Sequence, residues 1–141
     1  MNREILFKAK RKDNGEWVEG YLFDDEMPKP KRYFIGGIII KPYEGTACDK
    51  WNVVGIDFCE IDIDTLCQFT GLTDKSGNRI WENDIVELPD ENVYFKCEWE
   101  KDTARFVLNG DRFTVDFDDY REYEVEVIGN IFDNTDLLEV E

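Results

Sequence analysis

The chain has 141 residues, of which 42% are hydrophobic and 14% aromatic, and its 33 acidic and 17 basic residues give a formal net charge of -16. This apolar content can fill a core, which excludes a disordered acidic tail, and the length fits one domain or two small β-modules. Because the acidic residues are spread along the sequence, self-repulsion disfavours nonspecific contact with nucleic acid or anionic membranes.

The N-terminal part of the chain predicts a hairpin. Apolar residues recur at every second position in Ile5–Ala9 and again in Trp17–Phe23, and the pair Asn14-Gly15 lies between the two runs. An Asn-Gly pair in such a place is one of the strongest short-range hairpin signals. The next segment, Asp24–Arg32, contains two prolines, which exclude a central strand or a helix interior. We expect a surface loop there.

Two more strands are predicted in the middle of the chain. Tyr33–Lys41 is a largely apolar run, and Trp51–Cys59 is rich in valine, isoleucine and aromatic residues. The segment Ile61–Cys67 fits either an extended piece or one helical turn, and its pattern does not choose between them.

The segment Gln68–Val86 predicts an ordered connection that leads into a compact β-unit. A turn at Asp74–Asn78 separates two apolar stretches. Gly71 and Gly77 provide backbone freedom that residues with a Cβ do not have. The segment contains no array of nucleophile, base and oxyanion donor.

The C-terminal part shows the clearest two-residue period. Val93–Trp99 alternates apolar with polar residues, Asn109-Gly110 marks a second hairpin, and Gly129 marks a β-bulge or a close backbone approach. Asn134 or Thr135 could cap a last short helical turn. Short strands without a long amphipathic helix predict a mainly β fold, and periodicity alone leaves a barrel and a sandwich equally open.

Four segments of the chain resemble the signature of the YopX family of phage and prophage proteins, and the chain's opening, Arg3–Ala9, resembles that family's start. The four segments are Gln68–Leu72, Asp74–Gly77, Ile80–Val86 and Val127–Phe132.

The resemblance spans nearly the whole chain, with two departures. Asn83 stands where family members often carry glycine, and Lys10 stands where tryptophan is common. The resemblance implies a small cytoplasmic protein of phage or mobile-element origin with no established activity. It also implies an SH3-like β-barrel over about Thr70–Phe132. On this basis residues 1–67 are expected to form an N-terminal β-rich region packed beside an SH3-like barrel region at 68–141.

Several classes of active site are excluded by the composition. The chain has no histidine, so it cannot form a Ser-His-Asp or Cys-His arrangement or use an imidazole ligand or base. It also lacks phosphate-binding glycine-rich motifs. The four cysteines contain no C-x-x-C pair and are expected to be small buried hydrophobes: Cys48, Cys59, Cys67 and Cys97. No signal peptide or segment of roughly 18 apolar residues is present, which favours a cytoplasmic location and no membrane contact.

Carboxylates at alternate positions are candidates for metal binding or acid-base chemistry, because alternate residues of a strand share one face. A solvated strand face opposite a core face explains the same pattern, and we favour that interpretation. We therefore assign no catalytic, cofactor-binding or metal-binding residue and no cofactor. The sets are Asp62 with Asp64, Asp116 with Asp118, and Glu122, Glu124 with Glu126.

Basic residues near aromatic ones are candidates for single-stranded nucleic-acid binding, but the net charge opposes that function and we do not expect it. The basic groups are Lys8, Lys10, Arg11 and Lys12, and Lys29, Lys31 and Arg32, near Phe7, Trp17 and Tyr33. The four tryptophans are expected in the core, although an exposed one would mark an interface: Trp17, Trp51, Trp81 and Trp99.

The sequence favours a noncatalytic protein that acts through contacts with an unidentified protein of the host or the phage, or with further copies of itself. Edge strands of such a β-protein can add a strand from a partner. Two alternatives stay open. The chain could be an acidic nucleic-acid mimic that occupies a host DNA-binding protein, or a metal-dependent enzyme that uses its Asp and Glu clusters with Mg²⁺.

Overall fold

The computed structural model describes residues 4–26, 30–42, 51–88, 93–110, 114–116 and 125–138. The chain divides into two compact units. One is Leu6–Leu66, and the other is Cys67–Glu141 together with Met1–Ile5. The fold is mainly β, as the sequence predicts, and its strands form antiparallel sheets. The helices of the described residues are two short 3-10 turns, Ile63–Thr65 and Thr135–Leu138, and none of them has the length and apolar character that a membrane crossing needs.

The Leu6–Leu66 unit contains four antiparallel strands in the order β4-β3-β2-β1. After β4 the chain returns to the end of β1, where Arg11 and Ile61 form a bridge. The sheet therefore curls around a small core in which Ala9, Ile35 and Ile61 are buried. The strands are β1 (Phe7–Lys10), β2 (Trp17–Asp24), β3 (Tyr33–Pro42) and β4 (Trp51–Glu60).

Both predictions for the connections of this unit are confirmed. β1 and β2 pair as an antiparallel hairpin around Asn14-Gly15, and Asp24–Arg32 connects β2 to β3, with residues 27–29 outside the described part. The undecided segment Ile61–Cys67 contains the 3-10 turn, because the Asp62 carboxylate accepts a hydrogen bond from the Asp64 N–H at 3.1 Å and caps it.

The second unit contains a two-stranded ladder, in which β5 pairs with β6, and a five-stranded sheet in the order β10-β9-β8-β7-β11. A core cluster of described residues lies on the five-stranded sheet and includes Val86, Phe95, Cys97 and Leu108. The strands are β5 (Cys67–Thr73), β6 (Arg79–Trp81), β7 (Asp84–Leu88), β8 (Val93–Glu100), β9 (Arg105–Asn109), β10 (Thr114–Asp116) and β11 (Glu126–Asn130).

The predicted SH3-like barrel over Thr70–Phe132 is not confirmed, because neither sheet is closed into a barrel. In the described residues β10 and β11 form the two edges of the five-stranded sheet. A two-residue period specifies which side chains share a face, but it does not specify whether the first and last strands of a sheet meet.

The turn at Asp74–Asn78 is built on a buried carboxylate. Asp74 is 4% exposed, and its carboxylate accepts hydrogen bonds from the N–H groups of Ser76 (2.9 Å) and Asn78 (2.8 Å) and from the Asn78 side-chain amide (3.3 Å). It also accepts one from the Val127 N–H at 3.0 Å, which ties the turn to β11. The positive φ angles of Gly71 (92°) and Gly77 (84°) confirm that the turn and the strand before it use glycine's conformational freedom.

A second turn, at Glu82-Asn83, joins β6 to β7 and is linked to two other strands. The Asn83 N–H donates to the Cys97 carbonyl at 2.7 Å, and the Ile131 N–H donates to the Asn83 carbonyl at 3.0 Å. Asn83 has a φ of 71°, in the left-handed region that glycine adopts without strain. This conformation explains why a glycine suits the position at which this sequence departs from the family.

The bulge and the hairpin predicted for the C-terminal part are confirmed. The register of β11 against β7 shifts between Val127 and Gly129, as a bulge requires. A Cβ on Gly129 would lie 2.4 Å from the Asn134 side-chain oxygen, so a larger residue would require the Asn134 side chain to move. β9 and β10 form the predicted Asn109-Gly110 hairpin. Residues 111–113 lie outside the described part.

We predict that Asp74→Asn lowers the free energy of unfolding by about 2 to 3 kcal/mol near neutral pH, because an amide nitrogen replaces one buried acceptor of backbone N–H groups. Asp64→Asn is the matched control, since Asp64 is exposed. Chemical denaturation of both variants checks the prediction, and an equal, small loss in both would contradict it.

The same pair of proteins should differ in pH dependence. Burial of the Asp74 carboxylate acts to raise its pKa, but the hydrogen bonds from Val127, Asn78 and Ser76 outweigh burial and lower the pKa below its ordinary value of 3.8. The unfolded chain therefore binds this proton more tightly than the native protein does. The stabilisation is complete above pH 3.8 and is lost as the pH falls through the native pKa. The difference in unfolding free energy between wild type and Asp74→Asn should shrink on acidification, and a difference that grew would contradict this.

We predict that Asn83→Gly is more stable than Asn83→Ala by about 1 kcal/mol, because alanine pays the cost of the left-handed conformation and glycine does not. Ala104, at a φ of 53°, provides a second case: Ala104→Gly should be at least as stable as wild type. Thermal unfolding of the three variants measures both effects. An alanine variant as stable as the glycine variant at position 83 would contradict the prediction.

Candidate functional site

The outer face of the N-terminal sheet carries a group of exposed aromatic residues. In the strand registers, Tyr21 lies opposite Gly36 and Phe23 opposite Phe34, while Gly36 lies opposite Phe58. Paired residues of adjacent strands share a face, so all four aromatic side chains lie on the side of the sheet opposite the core. We call this group, Tyr21, Phe23, Phe34 and Phe58, the aromatic face.

The aromatic face is accessible to solvent. Tyr21 is 57% exposed, Phe23 43% and Phe58 38%. Gly36, between Tyr21 and Phe58 in the register, has no side chain that could cover the rings, and a Cβ there would lie 1.8 Å from the Asp57 carbonyl oxygen. The close pairing of β3 with β4 therefore requires a residue without a side chain at this position between the rings.

Three rings of the aromatic face line an open depression of about 310 Å³: those of Phe23, Phe34 and Phe58. The rings of Phe23 and Phe58 are nearly perpendicular, at 86°, with centroids 4.9 Å apart. This is the edge-to-face arrangement that aromatic quadrupoles favour. The described lining of the depression is therefore aromatic.

The predicted basic clusters lie around this unit, and carboxylates pair with four of their members. Arg11 bonds to Asp13 at 2.6 Å, Lys12 to Glu60 at 3.3 Å, Lys31 to Asp24 at 3.6 Å and Arg32 to Asp25 at 3.0 Å. The hydrogen bond with Asp13 raises the pKa of Arg11, and the same bond lowers the pKa of Asp13. Lys29 lies outside the described residues.

The other two basic residues of these clusters contact an aromatic ring. The ammonium groups of Lys8 and Lys10 lie 4.8 and 5.4 Å from the centroid of the Trp17 ring, which is half-buried. Similarly, the Arg32 guanidinium lies 6.0 Å from the Phe34 ring. Cations of this unit therefore interact with π faces as well as with carboxylates.

The acidic charge is unevenly divided between the two units. Residues 6–66 include 9 basic and 12 acidic residues, whereas the rest of the chain includes 8 basic and 21 acidic residues. The unit that carries the aromatic face is therefore close to neutral. This contrast is invisible in the whole-chain charge of -16.

The carboxylate sets named from the sequence are not brought together as strand faces in the described residues. Asp62 caps the 3-10 turn instead of lying in a strand beside Asp64. Glu126 pairs with Lys75 at 3.5 Å, and Asp118, Glu122 and Glu124 lie outside the described part, as does the side chain of Asp116. Within the described chain no group of three or more Cys, Asp or Glu residues is placed to hold a metal ion.

Two cysteines are buried, as predicted. Cys67 and Cys97 are fully buried, whereas Cys59 is half-buried and Cys48 lies outside the described residues. Burial raises the pKa of the Cys97 thiol well above its usual value, with Asp84 adding to the effect. Such a thiol is a poor nucleophile.

The tryptophans depart in part from their prediction as core residues. Trp81 is buried and contacts Phe69, with ring centroids 5.4 Å apart. Trp99 is 45% exposed, because it lies near the end of β8, beyond the buried pair Phe95 and Cys97, and contacts Phe106. The side chain of Trp51 is not among those described.

Sequence reasoning missed the aromatic face. It placed Trp17, Tyr21 and Phe23 in one phase of β2, which is correct, but the core is on the other side, where Val18 and Leu22 pack. Both phases of β2 are apolar, so periodicity could not decide which one faces the core. The sequence feature that could have indicated this face is the greater aromatic content of the phase that contains Trp17, Tyr21 and Phe23.

Architecture and site together define a mainly β protein of two compact units, one of which presents an exposed aromatic surface. The family model described as YopX protein matches residues 6–139, and the chain belongs to this family.

A solved structure shows the same fold. The crystal structure of protein EF1440 from Enterococcus faecalis matches with a TM-score of 0.60 over 97% of this chain and 99% of that chain, at 20% sequence identity. A search of curated proteins found no match.

We predict that Cys59 reacts with a thiol reagent in the native protein while Cys67 and Cys97 do not, because the buried thiols are shielded from the reagent. The Cys48→Ser background leaves these three thiols for labelling. Mass spectrometry after labelling with and without denaturant identifies the sites. Native labelling of Cys67 or Cys97 at the rate of Cys59 would contradict their burial.

Proposed function

We propose that the protein is a noncatalytic binding protein that docks a protein partner of the host or the phage on the aromatic face. The observation that carries the proposal is the exposure of Tyr21, Phe23 and Phe58 on one side of the sheet. Protein interfaces combine an apolar, aromatic centre with a polar rim. Large aromatic side chains at such centres often contribute most of the binding energy.

The surroundings of the aromatic face fit a protein partner better than a nucleic acid. The ion pairs of Arg11, Lys12, Lys31 and Arg32 balance cations with carboxylates. A surface that follows a phosphate backbone needs a clear excess of positive charge. Mixed, mutually neutralised charges around an apolar centre instead resemble the rim of a protein interface.

The noncatalytic part of the proposal is supported by composition. A chain without histidine has no imidazole base, nucleophile or metal ligand. The phage or prophage origin and the cytoplasmic location that the family resemblance implies belong to the same proposal.

An acidic nucleic-acid mimic is the second candidate, because 21 of the 33 acidic residues lie outside residues 6–66 and give that part of the chain a strong negative field. Such a field attracts basic, DNA-binding surfaces over long distances. In that case DNA should displace the captured partner, and raising the ionic strength should weaken the complex.

We predict that tagged wild-type protein captures a stoichiometric partner from nuclease-treated host lysate and that Phe23→Ser or Phe58→Ser reduces the capture at least tenfold. A loss of more than about 1.4 kcal/mol is typical of an aromatic interface centre. Trp99→Ser is the matched control, because Trp99 is similarly exposed but lies in the other unit. Equal capture by all three variants would contradict the proposed surface.

A further inference from the structure

The aromatic lining of the depression favours a cationic ligand. Its lining consists of the Phe23, Phe34 and Phe58 rings, and ring faces carry the negative part of the aromatic quadrupole. A cation above such a ring is attracted electrostatically, in addition to any apolar contact its side chain makes.

The protein's own side chains show this preference on the same surface. The Arg32 guanidinium lies over Phe34, one of the three lining rings, and its charge is matched by Asp25. On the neighbouring strands two lysines lie over Trp17. The aromatic residues of this sheet thus already serve as contact surfaces for cations.

A carboxylate lies on the same face of the sheet as the three rings. Glu60 is directly opposite Phe34 in the β3–β4 register and two residues beyond Phe58, so it belongs to the same face. It pairs with Lys12 at 3.3 Å. Because ion pairs at the surface contribute little free energy, an incoming cation can replace or share this partner at small cost.

The unit that carries the depression has a small acidic excess of its own, because residues 6–66 include 12 acidic and 9 basic residues. An acidic excess favours a basic partner over a nucleic acid. We infer that the depression lined by Phe23, Phe34 and Phe58 binds an arginine side chain of a basic protein partner. The planar guanidinium can stack on the rings while its charge faces Glu60. This inference rests on the proposed function and adds the chemistry of the partner.

The test measures binding of full-length protein to an arginine-glycine peptide, with three comparison probes: the same peptide with leucine for arginine, the same peptide with glutamate for arginine, and an oligothymidine strand. We expect the arginine peptide to bind most tightly and to lose affinity as salt increases.

Two substitutions separate a cation-π site from an apolar site. Phe58→Leu keeps apolar volume but removes the ring, and Phe58→Tyr keeps a π face. We expect Phe58→Leu to weaken the arginine peptide between about twofold and thirtyfold, whereas Phe58→Tyr and the control Trp99→Leu retain wild-type affinity. Circular dichroism of each variant checks that the exposed substitution leaves the fold intact.

Each other result overturns the inference in a distinguishable way. If the leucine peptide binds best and Phe58→Leu binds as wild type does, the depression takes an apolar side chain and the proposed protein-docking function still stands. If the oligothymidine binds through Phe58, both the inference and the proposed function fail. If no probe binds and the protein self-associates through Phe58, a second copy is the ligand and the arginine assignment is wrong.

Capture from lysate by the Phe58 variants distinguishes the docking surface from the arginine site independently of the peptides. A partner lost with Phe58→Ser but retained with Phe58→Leu would support the docking surface and refute the arginine site. A partner lost with both variants and retained with Phe58→Tyr would support both.

Discussion

The buried carboxylate of Asp74 is the constraint on which the second unit depends. Four hydrogen bonds from Ser76, Asn78 and Val127 satisfy it, and the last of these joins residues 53 positions apart in the chain. A buried charge without such donors would be strongly destabilising. The turn after β5 is therefore fixed to β11.

The Glu82-Asn83 turn follows β6, whereas the Asp74 turn precedes it, and both are hydrogen-bonded to other strands. Its backbone bonds reach Cys97 in β8 and Ile131 just after β11, and Asp84 accepts a hydrogen bond from the Trp81 N–H at 2.8 Å. Two adjacent turns thus connect the ladder of β5 and β6 to the five-stranded sheet. The family-specific residues of this segment have a structural explanation, because they form turns and buried hydrogen-bond acceptors.

The N-terminal unit has a different character. Among the side chains that the structure describes, apolar residues lie on both sides of its sheet, and the core cluster of Ala9, Ile35 and Ile61 lies on one of them. Tyr21, Phe23 and Phe58 expose apolar area on the outer side of the sheet. Exposed aromatic clusters of this kind are common in binding surfaces. The surrounding ion pairs and the near-neutral charge of the unit resemble the polar rim of an interface with a protein.

The sequence by itself determined the mainly β class, both Asn-Gly hairpins, the turn at Asp74–Asn78, the bulge at Gly129 and the family, because these depend on local backbone preferences and short-range alternation. Only the tertiary structure decided that the sheets stay open, that Asp62 caps a turn, that Trp99 is exposed and that the aromatic phase of β2 faces outward. The physical reason is that alternation assigns side chains to two faces without saying which face is covered. That choice is made by strand pairing between residues far apart in the chain, such as Gly36 with Phe58.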